Sequence, residues 1–401
     1  MELLYESNSY LTEHESVVSE CFTEGDKIIV SLEETIFFPE EGGQYADTGI
    51  LRLEGLGKDI KVLDGFLRDG KVYHVVDEPV EAGLKVLEVL NWGKRYMRMQ
   101  NHSGEHVLTG TIHNYFGYDN VGFHLSDEGP VTMDVSGVLT WDQIKDMERI
   151  ANTIIQKNVP ISCYYPSKSQ LKNLEYRSKS GIEGDVRIVR IGEGNEVYDY
   201  CACCAPHVAR TGEIGLVVVL SAVKYKGGMR LEILSGQRAV EYTRMQFDTL
   251  NDIAKHLTTS SDEVLNSIRN LQANMDRQKE LIGELVWEKI NSEIEKQIAD
   301  GRPLLFLDYD INNIAMKNAY NKLSESFGGY VGVFVGDDNK GYRFNAGSRE
   351  LDSRKLAGIM REELGAKGGG NEEMIQGRVD APRSAILDLI DRSNSKEYNC
   401  I

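Results

Sequence analysis

Residues 102–106 read His-Ser-Gly-Glu-His, and residues 203–207 read Cys-Cys-Ala-Pro-His. Each stretch carries two metal-binding side chains that are separated by three residues. On a helix, residues four apart lie on one face, so His102 and His106 can ligate the same ion. Cys203 and His207 complete a nitrogen and sulfur set of the kind that zinc binds tetrahedrally. The two stretches together predict a metal site, although spacing alone leaves a satisfied structural cluster as the alternative.

The residues around each stretch predict where these side chains lie. Residues 93–117 have helical periodicity, with both histidines on the apolar stripe and Gly117 as the stop. An unligated imidazole would be costly to bury on that inward face. His207 is followed by a turn and then by the apolar run Leu216 to Leu220, which predicts a strand and therefore a rigid position for a ligand.

Three stretches resemble the motifs of the alanyl-tRNA editing proteins, which are free-standing relatives of the editing domain of alanyl-tRNA synthetase. Residues 102–110 and 203–215 are similar to the two zinc motifs of this family. Residues 35–49 are similar to the glycine-rich signature of its N-terminal β-domain. The three motifs occur in the family's order, so the resemblance covers residues 30–236.

The sequence departs from the family pattern at two places. Glu41 stands where a third glycine is usual, and residues 204–206, Cys-Ala-Pro, replace the commoner Gly-Gly-Thr before His207. Both changes affect loop geometry, and neither removes an expected metal ligand.

The resemblance implies hydrolysis of the ester that joins a wrong amino acid to tRNA-Ala, with serine removed first and glycine second. Cleavage of this ester needs an activated water and stabilisation of an oxyanion. We expect one Zn²⁺ per chain, bound by His102, His106, Cys203 and His207. A closed shell would be structural and an open position catalytic, and the sequence does not decide whether Cys201 or Cys204 takes part.

Three further residues are candidates for the chemistry. Thr35 stands where the family places a threonine beside the amino-acid pocket, where a hydroxyl can bind the serine side chain. The alternative for Thr35 is an ordinary β-branched strand residue. Gln44 could orient the ester or the water. Glu105 is a candidate general base, but it lacks the spacing of the HExxH metalloproteases, and a solvated helix residue is its alternative.

The charge of the chain bears on the choice of partner. A formal net charge of −18 argues against a nucleic-acid partner. Basic residues nevertheless gather near the metal motifs, with six basic and three acidic side chains in 168–190 and four basic and one acidic in 208–230. These segments are the expected docking surface for the end of tRNA-Ala, and ordinary solvated surfaces are the alternative.

Cysteine usage and hydropathy indicate a cytoplasmic protein. Six cysteines, three of them within 201–204, suit metal binding in a reducing compartment better than a disulfide framework. We expect no membrane association, because no apolar run approaches the length of a span and no signal sequence begins the chain.

Changes of pattern along the chain predict an α+β multidomain fold with four parts. Residues 1–90 predict an N-terminal β-barrel or twisted sheet, with strands near 27–31, 49–53, 61–63 and 71–76. Residues 91–235 predict the zinc-binding editing domain. Residues 236–300 predict a helical connector with a capping box at 260–263. Its apolar stripe favours a long helix packed on a neighbour, with a coiled-coil homodimer or a helical hairpin as alternatives. Residues 301–401 predict an α/β domain.

The C-terminal part contains the run Gly-Ala-Lys-Gly-Gly-Gly at 365–370, which predicts a loop. The longer run from Gly365 to Gly377 resembles the glycine-rich motif that the synthetase and the long-form editing proteins use for tRNA binding. Candidates for tRNA contact are therefore Lys367, Gly368, Gly369 and Gly370, together with Arg210. A flexible connector is the alternative, and dimerisation through this domain is a second role for it.

Two other functions fit the same residues. A non-catalytic tRNA-binding module would use the metal as a closed structural site, and the glycine-rich domain favours this reading. A metallohydrolase of small esters or amides would act without RNA, and the acidic balance favours that one.

Overall fold

A computed structural model describes residues 2–55, 57–178 and 185–395, and its N-terminal strands close into a barrel. The barrel contains six strands in the order β2-β3-β7-β6-β5-β8, and β1 pairs with β4 in parallel beside it. The elements of this segment are β1 (Glu2–Leu3), α1 (Leu4–Ser7), β2 (Glu13–Glu24), β3 (Lys27–Leu32), β4 (Glu34–Thr35), β5 (Gly49–Leu53), β6 (Asp59–Arg68), β7 (Lys71–Val76) and β8 (Lys85–Leu90).

The predicted barrel is thus confirmed. Strands 49–53 and 71–76 have the predicted bounds, and the two others are longer than predicted. Strands β2 and β8 were not predicted from the sequence. Alternate residues of β8 point into the barrel, where the apolar side chains of Val86 and Leu90 are buried.

After the barrel, two antiparallel sheets and two main helices form an α+β layer. One sheet has the order β14-β15-β10-β9 and the other β11-β12-β13. The elements are α2 (Trp92–Phe116), β9 (Asn120–His124), β10 (Val131–Val135), α3 (Trp141–Gln156), β11 (Ile161–Tyr164), α4 (Lys168–Leu171), β12 (Ile188–Glu193), β13 (Glu196–Ala202), a short 3₁₀ helix (Thr211–Ile214), β14 (Val217–Tyr225), β15 (Gly228–Ser235) and α5 (Gln237–His256).

Helix α2 lies at the centre of this layer and is buried on all sides over most of its length. The Asn91 side chain caps its first turn by accepting a hydrogen bond from the backbone N–H of Lys94, and Gly117 ends it in the left-handed conformation. Neighbouring strands approach the helix closely, because a Cβ at Gly104 or Gly110 would collide with β15 or β13. The two glycines therefore allow both sheets to pack closely against α2, with β13 on the side of His106 and β15 on the opposite side.

The chain divides into two compact units, Met1–Asp252 and Ile253–Ile401. The predicted barrel and editing domain both lie in the first. In the second, the elements are α6 (Val264–Ala299), β16 (Leu304–Leu307), α7 (Asn313–Ser324), β17 (Val331–Asp337), β18 (Gly341–Gly347), α8 (Ser353–Leu364), β19 (Lys367–Gly370), β20 (Met374–Val379) and α9 (Arg383–Asn394).

Helices cover both faces of the five-stranded sheet in the second unit. The strand order is β16-β17-β18-β20-β19, with β16 and β17 parallel and the other pairs antiparallel. One core joins α6 and α7 to the sheet, and another joins α8 and α9 to it. The predicted α/β character of residues 301–395 is confirmed, and residues 396–401 lie outside the described part of the chain.

Two predictions for the C-terminal half are wrong. The expected loop at 365–370 contains an edge strand, β19, which pairs with β20 because glycines at 368 and 377 let the two backbones meet without a Cβ between them. The expected capping box at 260–263 is not formed. Helix α6 instead begins after Glu263, which makes no side-chain cap. The apolar stripe of α6 is exposed, and Leu271 keeps 52% of its surface in contact with solvent.

Among the described residues, no helix is both long enough and apolar enough to cross a membrane.

Candidate metal centre

The structure brings His102, His106, Cys203 and His207 together. Their ligand atoms all lie within 4.8 Å of one another. The Cys203 Sγ atom is 3.4 Å from His207 Nε2 and 3.6 Å from His102 Nε2. Tetrahedral zinc bonds of about 2.0–2.3 Å would separate ligand atoms by roughly 3.3–3.8 Å. The four side chains therefore fit a four-coordinate metal ion.

Each histidine has its second ring nitrogen turned towards a polar group outside the cluster. His102 Nδ1 is 2.9 Å from Gln44 Oε1, and His207 Nδ1 is 3.0 Å from Ser103 Oγ. His106 Nδ1 faces Asp199 Oδ2 at 3.5 Å. Partners of this kind fix the ring orientation and the tautomer of metal-ligating histidines. The surroundings thus leave Nε2 of each ring directed at the common point, as a metal site requires.

The pKa shifts of Cys203 and His207 also favour the protonation states that bind a cation. Burial raises the pKa of the Cys203 thiol, but the surrounding imidazoles, His102 first, more than offset burial and hold this pKa well below its usual range. The thiolate is the form of cysteine that binds metals. Burial lowers the pKa of His207 to about 3, which keeps its imidazole neutral. For His106, burial is outweighed by Cys201 and Asp199, which raise its pKa, so a cation bound there would displace a proton.

A tight turn positions Gln44 against His102. Gly42 and Gly43 both have positive φ angles, and the backbones of Glu41 and Gln44 exchange two hydrogen bonds across them. The turn belongs to the glycine-rich stretch 35–49. Gln44 is fully buried, and its Nε2 atom has no hydrogen-bond partner within the described protein.

A buried ion pair fixes the same stretch to the start of α2. Arg95 Nε donates to Asp47 Oδ2 at 2.9 Å, and the backbone N–H of Phe38 donates to the same oxygen at 2.7 Å. The Arg95 guanidinium also donates to the carbonyl oxygens of Ile36 and Ser9. One arginine therefore joins the turn of Gln44 to the helix that carries His102.

The other two ligands are positioned by a loop that follows β13. Arg187 donates to the carbonyl oxygens of Cys203 and Ala205 at 3.0 and 2.9 Å. Ser9 Oγ donates to the His207 carbonyl at 3.0 Å. A loop held at three carbonyls keeps both ligands in place without help from a regular element.

Three members of the cluster, His102, His106 and Cys203, line a cavity of about 440 Å³, a size typical of ligand sites. Glu105 lines the cavity and is only 3% exposed, so the alternative of a solvated helix residue is wrong. Its Oε1 atom accepts hydrogen bonds from Thr109 and Asn120, and its Oε2 atom lies 4.0 Å from His106 Nε2. Glu105 is therefore held next to the proposed metal with one oxygen turned towards it.

Two further cysteines adjoin the cluster. Cys201 forms a second group with His106 and Asp199, although Asp199 is already paired with Arg177 at 2.7 and 2.8 Å. Cys204 lines the cavity, as does Glu41. Neither thiol belongs to the four-residue cluster itself.

Thr35 is not among the residues that line the cavity. It is fully buried, and its hydroxyl donates to Glu88 Oε1 at 2.6 Å and accepts from the backbone N–H of Phe37 at 3.1 Å. His74 Nε2 lies 3.2 Å from the same hydroxyl, and Glu88 Oε2 accepts from the backbone N–H of Ile36. Thr35 thus anchors the beginning of the stretch that ends at Gln44 and Asp47.

The pKa values of this buried cluster predict how stability changes with pH. Burial raises the pKa of Glu88 to about 8 and lowers that of His74 to about 4. A raised acid pKa gives a stability contribution that is lost as pH rises towards 8, and a lowered histidine pKa gives one that is lost as pH falls from about 6.5 to 4.

We expect the free energy of unfolding to fall by about 2 kcal/mol between pH 6 and 9 because of Glu88, and less in Glu88→Gln. Urea unfolding of both proteins at the two pH values measures the difference. Equal losses in both proteins would contradict the assignment to Glu88.

The candidate tRNA contacts lie elsewhere. Arg210 is exposed and donates to the Asn158 carbonyl, while Lys367–Gly370 is the exposed edge strand β19 of the second unit. Several cations of the two basic segments are used internally, because Arg177 pairs with Asp199, Arg230 with Asp134, and Arg187 with backbone carbonyls. Residues 179–184 of the first segment lie outside the described residues.

Sequence reasoning missed the groups that support the ligands. Ser103, Arg187 and Asp199 are far along the chain from the residues they hold, and nothing in their local pattern marks them. Glu88 did carry a signal, because it shares with Val86 and Leu90 the buried face of β8. A carboxylate at an inward position of an alternating strand indicates a specific buried partner.

Comparison with known protein families relates one segment of the chain to a domain of tRNA synthetases. The family model described as "Threonyl and Alanyl tRNA synthetase second additional domain" matches residues 186–232. This range contains Cys203 and His207, together with the strands β12 and β13 that lead to them. Half of the metal cluster thus lies in a domain shared with two kinds of tRNA synthetase.

More particular relatives cover the rest of the chain. The alanyl-tRNA editing protein AlaX-L of Pyrococcus horikoshii is 27% identical over an alignment that covers 97% of each chain. The alanine–tRNA ligase of Caldivirga maquilingensis is 27% identical over 90% of this chain and 41% of the ligase, and that of Halobacterium salinarum is 32% identical over 66% and 29%. The chain thus spans less than half of these ligases. The resemblance to the alanyl-tRNA editing proteins of the long form is confirmed.

Proposed function

We propose that this protein is a trans-editing deacylase, which hydrolyses the ester between a wrong amino acid and tRNA-Ala. The observation that carries the proposal is the four-residue cluster, three of whose members line a cavity, with a buried carboxylate beside it. The names of the relatives support the choice of alanyl-tRNA as the substrate class. Seryl-tRNA-Ala is the first substrate proposed and glycyl-tRNA-Ala the second.

One Zn²⁺ per chain is the proposed cofactor, because three imidazoles and one thiolate are among the ligands that zinc prefers. His102, His106, Cys203 and His207 would hold it, and when bound it would supply a positive charge that polarises the ester or its attacking water. Gln44, Ser103 and Asp199 orient the three imidazoles. The support for this assignment is that the Nδ1 atoms of His102 and His207 contact Gln44 and Ser103, and that His106 Nδ1 faces Asp199 at 3.5 Å.

Glu105 is proposed as the general base that takes the proton of the attacking water. Thr109 and Asn120 occupy one of its oxygens, so the other is free to accept that proton in the cavity. Gln44 Nε2 is a buried donor without a partner in the described protein. We propose that it orients the ester or the attacking water next to Glu105.

Thr35 is proposed to affect specificity through the stretch that it anchors. Its hydroxyl is committed to Glu88 and Phe37, so it would set the position of the turn that holds Glu41 and Gln44. On the tRNA side, Arg210 and the edge strand Lys367–Gly370 are proposed contacts for the RNA backbone. Exposed backbone N–H groups and a lysine suit phosphate oxygens.

A deacylation assay on three substrates tests the proposed function. We expect rapid release of serine from seryl-tRNA-Ala, slow release of alanine from alanyl-tRNA-Ala, and little activity on a small seryl ester, with all activity lost in chelator and restored by zinc. Thr35→Val should narrow the ratio between the first two rates. Lys367→Glu should raise KM and leave kcat unchanged, while Lys317→Glu, on helix α7, serves as the control.

The assay also distinguishes the other two functions. A closed structural zinc in a tRNA-binding module predicts tRNA binding without deacylation of either aminoacyl-tRNA. A small-molecule metallohydrolase predicts that the free ester is cleaved as fast as the aminoacyl-tRNA. The closed set of four ligands is the observation that favours the first of these as the second candidate.

A further inference from the structure

The cavity wall contains a side-chain pair that the proposed mechanism does not use. Glu41 and Cys204 both line the cavity, next to the ligands His102 and Cys203. They come from separate stretches of the chain, and each occupies one of the two places where the sequence departs from the family pattern.

The turn at 41–44 fixes the position of this pair. Glu41 and Gln44 are the two ends of the turn, so the backbone that holds Gln44 against His102 also holds Glu41 at the wall. Gly42 lies between them, and a Cβ built on it would be 3.5 Å from Cys204 Sγ. The turn that holds Gln44 against the proposed metal ligand His102 therefore also fixes the backbone of Glu41.

Most of the other charged groups of the wall are engaged by protein partners. Arg177 is paired with Asp199, and Arg187 donates to backbone carbonyls. Glu105 accepts two hydrogen bonds, and Glu6 accepts one from the Tyr165 hydroxyl at 2.9 Å. Glu41 and Asp185 have no cationic side-chain partner among the described residues, and of the two it is Glu41 that the turn fixes next to Gln44 and His102. A carboxylate without a protein cation beside it retains its capacity to bind one.

An aminoacyl ester carries such a cation, since its α-ammonium group is one carbon away from the carbonyl that is attacked. With the carbonyl beside Glu105 and the metal ligands, the ammonium group must lie in the same cavity. We propose that the Glu41 carboxylate, fixed in the cavity wall by the turn at 41–44, binds the α-ammonium group of the aminoacyl ester. This inference rests on the proposed function, and it adds a substrate-binding residue to it.

Blocking the amine tests the proposal. The substrates are seryl-tRNA-Ala and N-acetyl-seryl-tRNA-Ala, which lacks the positive charge. We expect Glu41→Gln to lower kcat/KM for seryl-tRNA-Ala by about 10- to 100-fold, as for loss of a charge-assisted hydrogen bond, and to leave N-acetyl-seryl-tRNA-Ala unchanged. Glu40→Gln, whose side chain is outside the cavity lining, should behave as the parent on both substrates.

A binding measurement keeps this test independent of hydrolysis. The probe is 3′-serylamino-3′-deoxyadenosine, an amide that resists cleavage, compared with its N-acetyl form by calorimetry in the presence of zinc. The parent should bind the free amine about 10-fold or more tightly than the acetylated form, and Glu41→Gln should bind both alike. Equal affinities in the parent, or losses of similar size on both substrates, would overturn the role of Glu41. A parent that binds the amine selectively but deacylates neither tRNA would reject the proposed function alone.

Discussion

His102→Ala is expected to leave the purified protein with little zinc and to abolish deacylation of seryl-tRNA-Ala. Removal of a partner behind a ligating histidine typically lowers metal affinity by about 10- to 100-fold, and loss of the ligand itself should exceed that. Three remaining side chains cannot close a tetrahedral shell. Elemental analysis of the parent should give about one zinc per chain, and titration with a competing chelator measures the affinity of each variant.

Two variants of the same protein make this a graded test. Gln44→Ala removes the group 2.9 Å from His102 Nδ1 and should lower zinc affinity by about 10- to 100-fold. His113→Ala, on the same helix but paired with Asp119 at 3.0 Å, should have no effect. Normal zinc content in His102→Ala and His207→Ala would exclude the cluster as the metal site. Cys203→Ala is less decisive, because Cys201 and Cys204 lie near enough to substitute.

The metal cluster could be predicted from the sequence because its members come in two contiguous pairs. Helical periodicity placed His102 and His106 on one face, and the five residues from 203 to 207 kept the second pair together. Nothing in the local pattern relates these pairs to Gln44 or Asp199. Gln44 contacts His102 across 58 residues of sequence, and Asp199 is a single residue of strand β13 that faces His106. Tertiary pairing of this kind leaves no periodic trace in the chain.

The failures have equally specific causes. The four glycines within 365–370 have a low intrinsic preference for strands, so local sequence predicted a loop. The segment nevertheless forms strand β19, because it pairs with β20 at a position where glycine fits better than a larger residue. The stripe on α6 has the period of a packed helix, but Ile282 and Leu285 are exposed, so the periodicity described an apolar face without describing its neighbour. The position of Thr35 beside the amino-acid pocket stays a prediction, and the contact between its hydroxyl and the buried Glu88 was missed because β8 was not predicted from the sequence.

The second large effect is expected on stability. Asp47→Ala should lower the free energy of unfolding by about 3–5 kcal/mol, because Arg95 is fully buried and would keep its charge without a counterion. The backbone N–H of Phe38 would also lose its acceptor. For a unit of this size, the loss corresponds to a fall in Tm of about 10 °C. Calorimetry with saturating zinc measures it on the full chain, so that differences in metal content do not contribute.

A second ion pair on the same helix shows how much of the expected loss depends on burial of the charges. Arg98 contacts Asp127 at 2.8 and 2.6 Å, but the Asp127 side chain is 27% exposed, so water can replace it and Asp127→Ala should cost about 1 kcal/mol or less. The double variant Arg95→Met with Asp47→Leu should recover part of the loss, since it removes both charges together. Recovery should be incomplete, because the carbonyls of Ile36 and Ser9 would lose the Arg95 donors. If Asp47→Ala and Asp127→Ala lowered Tm equally, the Arg95 ion pair would not be what holds the glycine-rich stretch against α2, and the alignment of Gln44 with His102 would have to depend on Thr35 and Glu88 instead.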